Sequence, residues 1–153
     1  MDRRNFLKKA IGGVIGLQFV ALFYSFFKNK PEEKKENDDW VELGMINDFE
    51  KGKTYSFPSN KVFLHRTGEG DFLAISNKCT HLGCAVTLDS RTSGFICPCH
   101  SSHFDKLGNV TQSPAKRALD YYPIRIQANK LLVNLNDSTK RASFSKNQLT
   151  TVS

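Results

Sequence analysis

Residues 40–136 alternate short runs of β-branched and aromatic side chains with polar turn residues. Residues 53–57, 61–67 and 72–77 each mix such side chains with polar ones, which predicts strands. Gly68, Gly70 and Asp71 separate the second from the third and predict a hairpin turn. Residues 121–127 and 130–134 flank Ala128-Asn129, a second hairpin signal. No stretch after residue 40 sustains a long helical period, so this segment is expected to be mainly β with antiparallel strands. Residues 137–153 are polar, rich in Ser, Thr and Lys, and are expected to form a loose tail. There is no internal repeat.

The pattern before residue 40 is different. Residues 10–27 form an uncharged apolar run of 18 residues, with Gln18 its most polar member. As a helix it extends roughly 27 Å, about one hydrocarbon core. Phe23, Tyr24, Phe26 and Phe27 close the run with aromatics suited to a membrane interface, and no small-x-small cleavage site follows. Arg3-Arg4, then Phe6, Leu7 and Lys8, resemble the twin-arginine export signal, with Asp2 where Ser or Thr is usual. Residues 1–27 therefore read as a signal and uncleaved single-pass anchor in a cytoplasmic (inner) membrane. Four basic residues ahead of the run favour an amino terminus inside, with the following domain on the periplasmic side. Residues 28–39 are charged, carry one proline and have no apolar period; they read as a solvated linker or, since Glu and Lys are good helix formers, as a helix extending from the membrane.

Charge sharpens this division. The chain has 153 residues and a net charge of +7. Residues 1–30 carry +5, 31–39 carry −3, 40–137 only +2, and 138–153 the remaining +3. The basicity belongs to the ends, so no nucleic-acid partner is expected.

All four cysteines, Cys79, Cys84, Cys97 and Cys99, fall within 21 positions, which points to one local site rather than a dispersed disulfide framework. Cys79-Thr80-His81-Leu82-Gly83-Cys84 and Cys97-Pro98-Cys99-His100 form two blocks with twelve residues between them. Thiolates are soft donors and imidazoles neutral ones, so a Cys-x-His pair and a Cys-x-x-His pair can bring two of each to one metal centre. Cys84 and Cys99 are left over, one from each block, and one disulfide could tie the two loops together. Outside the cytoplasm that bond would persist.

These two blocks, continued by Ser101-Ser102-His103-Phe104, resemble the Rieske family, in the branch of the cytochrome bc and b6f complexes. The resemblance is specific over about residues 75–115 and implies a Rieske-type antiparallel β-sandwich over 40–136 with an inserted cluster-binding subdomain. It implies a [2Fe–2S] cluster, with Cys79 and Cys97 on one iron, His81 and His100 on the other, and a Cys84–Cys99 disulfide. Replacing two thiolates by imidazoles raises the reduction potential. His100, with His81 as companion, is the implied catalytic residue that meets quinol. Leu82 is expected to pack near the cluster and exclude water, and Ser102 to donate a hydrogen bond to a cluster sulfide. Phe104 stands where high-potential relatives have a hydrogen-bonding tyrosine, which predicts a lower potential suited to menaquinol. Ser101 replaces the usual glycine, and Ser113-Pro114-Ala115-Lys116 replaces Gly-Pro-Ala-Pro in the loop that covers the cluster, with Pro114 retained.

The implied function is electron transfer from quinol to a c-type cytochrome, as the iron–sulfur subunit of a quinol–cytochrome c oxidoreductase that includes a cytochrome b. Two other readings keep part of the chemistry: the Rieske small subunit of an arsenite-oxidase-like molybdoenzyme, and a non-redox module with structural zinc on two Cys and two His. His103 is read as a surface or neighbouring residue and His65 as a structural one.

Overall fold

The computed structural model describes residues 39–152 together with Tyr24. The twin-arginine pattern, the apolar run apart from Tyr24, and the linker before Asp39 lie outside the described residues. Among the described residues no helix is long and apolar enough to cross a membrane.

Among the described residues eleven strands form three antiparallel sheets. The first sheet pairs β1 (Trp40–Met45) and β10 (Ile124–Gln127) on either side of β11 (Lys130–Asn134). The second has the order β2 (Thr54–Phe57), β3 (Val62–Arg66), β4 (Phe72–Ser76), β9 (Tyr121–Tyr122). The third is a meander of β5 (Thr87–Asp89), β6 (Gly94–Ile96), β7 (His103–Phe104) and β8 (Val110–Gln112), inserted between β4 and β9. After residue 39 the helical content is three 3-10 turns, as the missing helical period predicts. Both predicted hairpins are present, and Ala128 and Asn129 take φ of 48° and 65°, the two positive values that a tight strand-matched turn needs.

The middle sheet carries the architecture. Successive side chains of a strand point to opposite faces, so β3 and β4 serve two cores at once. Val62, Leu64, Phe72 and Ala74 join Ile46, Phe49, Leu131 and Val133 in one core. Phe63, Leu73 and Ile75 face the other way and join Val86, Phe95, Phe104, Leu119 and the two cysteines Cys79 and Cys97. Every residue of β4 is buried for this reason. The inserted meander is thus seated on a wall already braced from behind. Within it, β6 and β7 approach so closely that a Cβ on Gly94 would lie 2.1 Å from the Phe104 carbonyl oxygen, which admits only glycine there.

The expectation of a loose tail over 137–153 is corrected. Thr139 exchanges backbone hydrogen bonds with Tyr121 and Thr150 with Phe72. Arg141 is buried, with hydrogen bonds to the carbonyls of Leu119 and Leu107. A polar composition hides this because the anchors are backbone groups and one guanidinium, not apolar side chains.

Candidate metal centre

Two loops, residues 79–84 following β4 and residues 97–102 between β6 and β7, make the same turn. In the first, Cys79 N–H donates to the Cys84 carbonyl at 2.8 Å and Gly83 N–H to the Cys79 carbonyl at 2.9 Å. In the second, Cys97 N–H donates to the Ser102 carbonyl and Ser101 N–H to the Cys97 carbonyl, both at 2.9 Å. Each turn closes on a residue with positive φ, Gly83 at 83° and Ser101 at 55°. Ser101 therefore takes the left-handed conformation its glycine-like position demands, at a cost of about 1–2 kcal/mol for a residue with a Cβ. Gln112 supports that turn by donating to the Ser101 carbonyl.

The shared turn sets the depth of each donor. Cys79 and Cys97 are buried at the roots of the loops and carry free thiols. His81 and His100 come together edge to face, ring centroids 4.9 Å apart and planes at 89°. His100 is exposed and His81 half-buried. The His81 Nδ1 is buried without a hydrogen-bond partner, the one such side-chain atom among the described residues. A buried imidazole nitrogen is costly to leave unpaired. Burial pushes the Cys79 thiol above its ordinary value, and the neighbouring Cys97 sulfur adds to the rise; the His81 backbone N–H and the Ser102 hydroxyl act in the opposite direction. A metal taken up here displaces that proton. Two buried free thiols, an orphaned imidazole nitrogen and the second imidazole packed against it are the kinds of donor that a histidine-ligated iron–sulfur cluster requires.

Cys84 and Cys99 are joined by a disulfide, with Cα atoms 6.6 Å apart, so the two loops are covalently locked. Its two sulfurs and that of Cys97 lie within 4.8 Å of one another. This trio is not a metal site, because disulfide sulfurs offer no thiolate; the bridge packs against the root of the second loop.

A third loop, residues 113–118, closes over both. Ala115 N–H donates to Ser102 Oγ at 3.0 Å, and Thr80 Oγ1 donates to the Arg117 carbonyl at 2.7 Å. Pro114, Thr80, His81, Lys116 and Arg117 line an open cleft of about 430 Å³. The loop keeps its contacts although Ser113 and Lys116 depart from the family pattern. Ser102 is fully buried, and Phe104 is buried in the same core as Cys79 and Cys97.

Leu82 differs from expectation. It is 70 % exposed and covers little of its own chain, because it sits at the apex of the first loop just before the Gly83 turn. His103 is half-buried in β7, opposite Ile96 and Gln112. His65 is buried in β3, with Nδ1 2.9 Å from Thr54 Oγ1. Thr80 and Arg117 were not singled out from sequence. Thr80 lies between two candidate ligands, which is signal enough, whereas the carbonyl of Arg117 carries no side-chain signature.

A family model described as the Rieske [2Fe-2S] domain matches residues 39–123. The cytochrome b6-f complex iron-sulfur subunit of Chlorobaculum thiosulfatiphilum is 31% identical over 137 residues, covering 87% of this chain and 75% of that protein. The cytochrome bc1 complex Rieske iron-sulfur subunit of Corynebacterium diphtheriae is 41% identical over 83 residues, 49% of this chain and 20% of its own length. The plasma membrane Rieske protein PetC3 from Synechocystis PCC 6803 superposes with a TM-score of 0.50 at 33% identity, covering 61% of this chain and 97% of its own. A chain of a hyperthermophilic respiratory Complex III shares the fold, with a TM-score of 0.51 at 22% identity over 81% of this chain and 98% of that one. With the locked loops, the buried free thiols and the facing imidazoles already in place, the chain belongs to the Rieske [2Fe–2S] family.

Proposed function

We propose that Cys79 and Cys97 hold one iron and His81 and His100 the other iron of the cluster, and that the chain carries electrons from quinol to a c-type cytochrome. The observation that carries the ligand assignment is the buried, partnerless His81 Nδ1 beside His100 and the two buried thiols. The bound cluster supplies a one-electron couple whose potential the two imidazoles raise.

The residues of the chain divide the remaining tasks. The disulfide and the third loop exclude water from the thiolate side. The exposed imidazole of His100 presents its outer nitrogen at the surface, where it accepts a hydrogen bond from a quinol hydroxyl and then its proton. The buried Ser102 hydroxyl would stabilise added negative charge on the bound cluster by donating a hydrogen bond to one of its sulfides. Phe104 has no donor to offer, so the potential lies below that of tyrosine-bearing relatives, which suits menaquinol. Exposed Leu82, beside the histidines, meets the partner that brings the quinol.

The Chlorobaculum and Corynebacterium relatives are named as subunits of b6-f and bc1 complexes, which favours a cytochrome b and a c-type cytochrome as partners over a molybdoenzyme. The apolar run of residues 10–27 anchors the chain in the cytoplasmic membrane, the twin-arginine pattern marks it for export, and the folded domain lies on the outer side. Isolation of the native membrane complex through this chain tests the assignment. Cytochrome b and a c-type haem protein are expected to co-purify, with quinol-dependent cytochrome reduction. A molybdopterin subunit in their place, or zinc in place of iron, overturns it.

A further inference from the structure

We propose that Arg141 is a positioning residue: it fastens the C-terminal segment 139–150 as a strap behind the third loop and so fixes the buried Ser102 hydroxyl at the end of the second ligand loop. The inference rests on the ligand assignment above. The strap lies beyond the family match, which ends at residue 123.

The bonds form a continuous path. Arg141 is 6% exposed and makes no ion pair among the described residues. Its three nitrogens donate instead to the Leu119 carbonyl, the Leu107 carbonyl and Gln148 Oε1, each at 2.6 Å, and the guanidinium lies over the Tyr121 ring. Burying a guanidinium costs several kcal/mol in lost hydration, so it is retained only where such charge-assisted bonds offset the loss. Ala118 N–H donates to the Ala142 carbonyl at 3.0 Å, and Phe144 N–H to Asn109 Oδ1 at 2.6 Å. The strap therefore grips Ala118 and Leu119, the root of the third loop, and the turn between β7 and β8. Four residues before Leu119, Ala115 N–H occupies a lone pair of Ser102 Oγ. A hydroxyl has one hydrogen; with Ala115 N–H held on its acceptor side, that hydrogen is left free to donate to a sulfide of the cluster. Releasing the strap frees the third loop, and the Ser102 rotor loses its constraint.

The test uses the full-length, cluster-loaded chain and reads the midpoint potential and the EPR line shape of the reduced state. Arg141→Ala lowers the midpoint, by less than Ser102→Ala does, and broadens the EPR lines as the hydroxyl samples several orientations. Arg141→Lys, which keeps a charge and part of the bonding, recovers part of the shift, and Gln148→Ala gives a smaller shift in the same direction. In the Ser102→Ala background Arg141→Ala produces no further change in midpoint. Leu131→Ala, in the opposite core, lowers thermal stability without moving the midpoint. The proposal is overturned if Arg141→Ala and Gln148→Ala leave midpoint and line shape unchanged, if the two shifts add in the double variant, or if Leu131→Ala moves the midpoint equally. A wild-type chain without a Rieske EPR signal overturns the ligand assignment itself; a normal signal with an unmoved midpoint overturns the strap alone.

Discussion

The two cysteine–histidine loops use one backbone design and differ in how it is realised. Both are closed by a pair of bonds from and to the first cysteine and end on a left-handed residue. The first loop meets that demand with Gly83, the second with Ser101. The first keeps its histidine half-buried and is tied to the third loop by Thr80; the second leaves His100 open to solvent and is tied through Ser102. Equal geometry at the roots with unequal exposure at the tips is what a site needs if it is to hold a metal symmetrically and offer one imidazole to a reactant. The disulfide then makes the two halves one object.

The strongest way to break this equivalence is to remove a thiolate. Cys79→Ser and Cys97→Ser are each expected to abolish the cluster entirely, read as loss of iron and of visible absorption; a variant that keeps a normal cluster would show that the two roots are not equivalent. Next in size is the lock between the halves. Replacing Cys84 and Cys99 by alanine opens a loop closed over 15 positions and is expected to cost about 3 kcal/mol, read as a drop in thermal midpoint and faster bleaching.

The left-handed positions separate the loops more finely. Gly83→Ala forces a Cβ into a conformation that disfavours it and is expected to destabilise by about 1–2 kcal/mol. Ser101→Gly removes the same strain but adds about 0.5–1 kcal/mol of chain entropy, leaving a net gain of about 0.5 kcal/mol. Denaturant unfolding of the two variants, in opposite directions, measures the asymmetry. Phe104→Tyr restores a donor near the buried cysteines, and a small rise in midpoint is expected in a redox titration; no rise counts against the low-potential reading.

A control lies outside both loops. Burial pushes the His65 imidazole below its ordinary value of 6.5, and Lys106 adds to the effect. As pH falls the unfolded chain takes the proton first, so this contribution to stability is intact above about pH 6.5 and declines below it. Urea midpoints at pH 7.5 and 5.5 should fall less steeply in His65→Gln, with the cluster spectrum unchanged.

Much of this was legible in the sequence because the signals are local. The hairpins at Gly68–Asp71 and Ala128-Asn129, the missing helix and the paired cysteine blocks each depend on a few adjacent residues. Leu82 and the C-terminal segment were not legible. An apolar residue in a metal loop reads as packing, yet its apex position leaves Leu82 outward. A polar tail reads as unattached, yet Arg141 and the backbone of Thr139, Ala142 and Thr150 hold it by bonds whose partners lie 18 or more residues away, which no local pattern reveals. The double burial of β4 was hidden similarly, since its second cover is a subdomain inserted later in the chain.

The claim on which the rest stands is that both imidazoles and both thiolates serve one cluster. Pulsed EPR of the reduced full-length protein, grown with 15N-labelled histidine, reads this directly. Couplings to two histidine nitrogens are expected, with one lost in a His81→Cys or His100→Cys variant that keeps a cluster. Coupling to a single histidine, or a colourless protein with no signal, would contradict it.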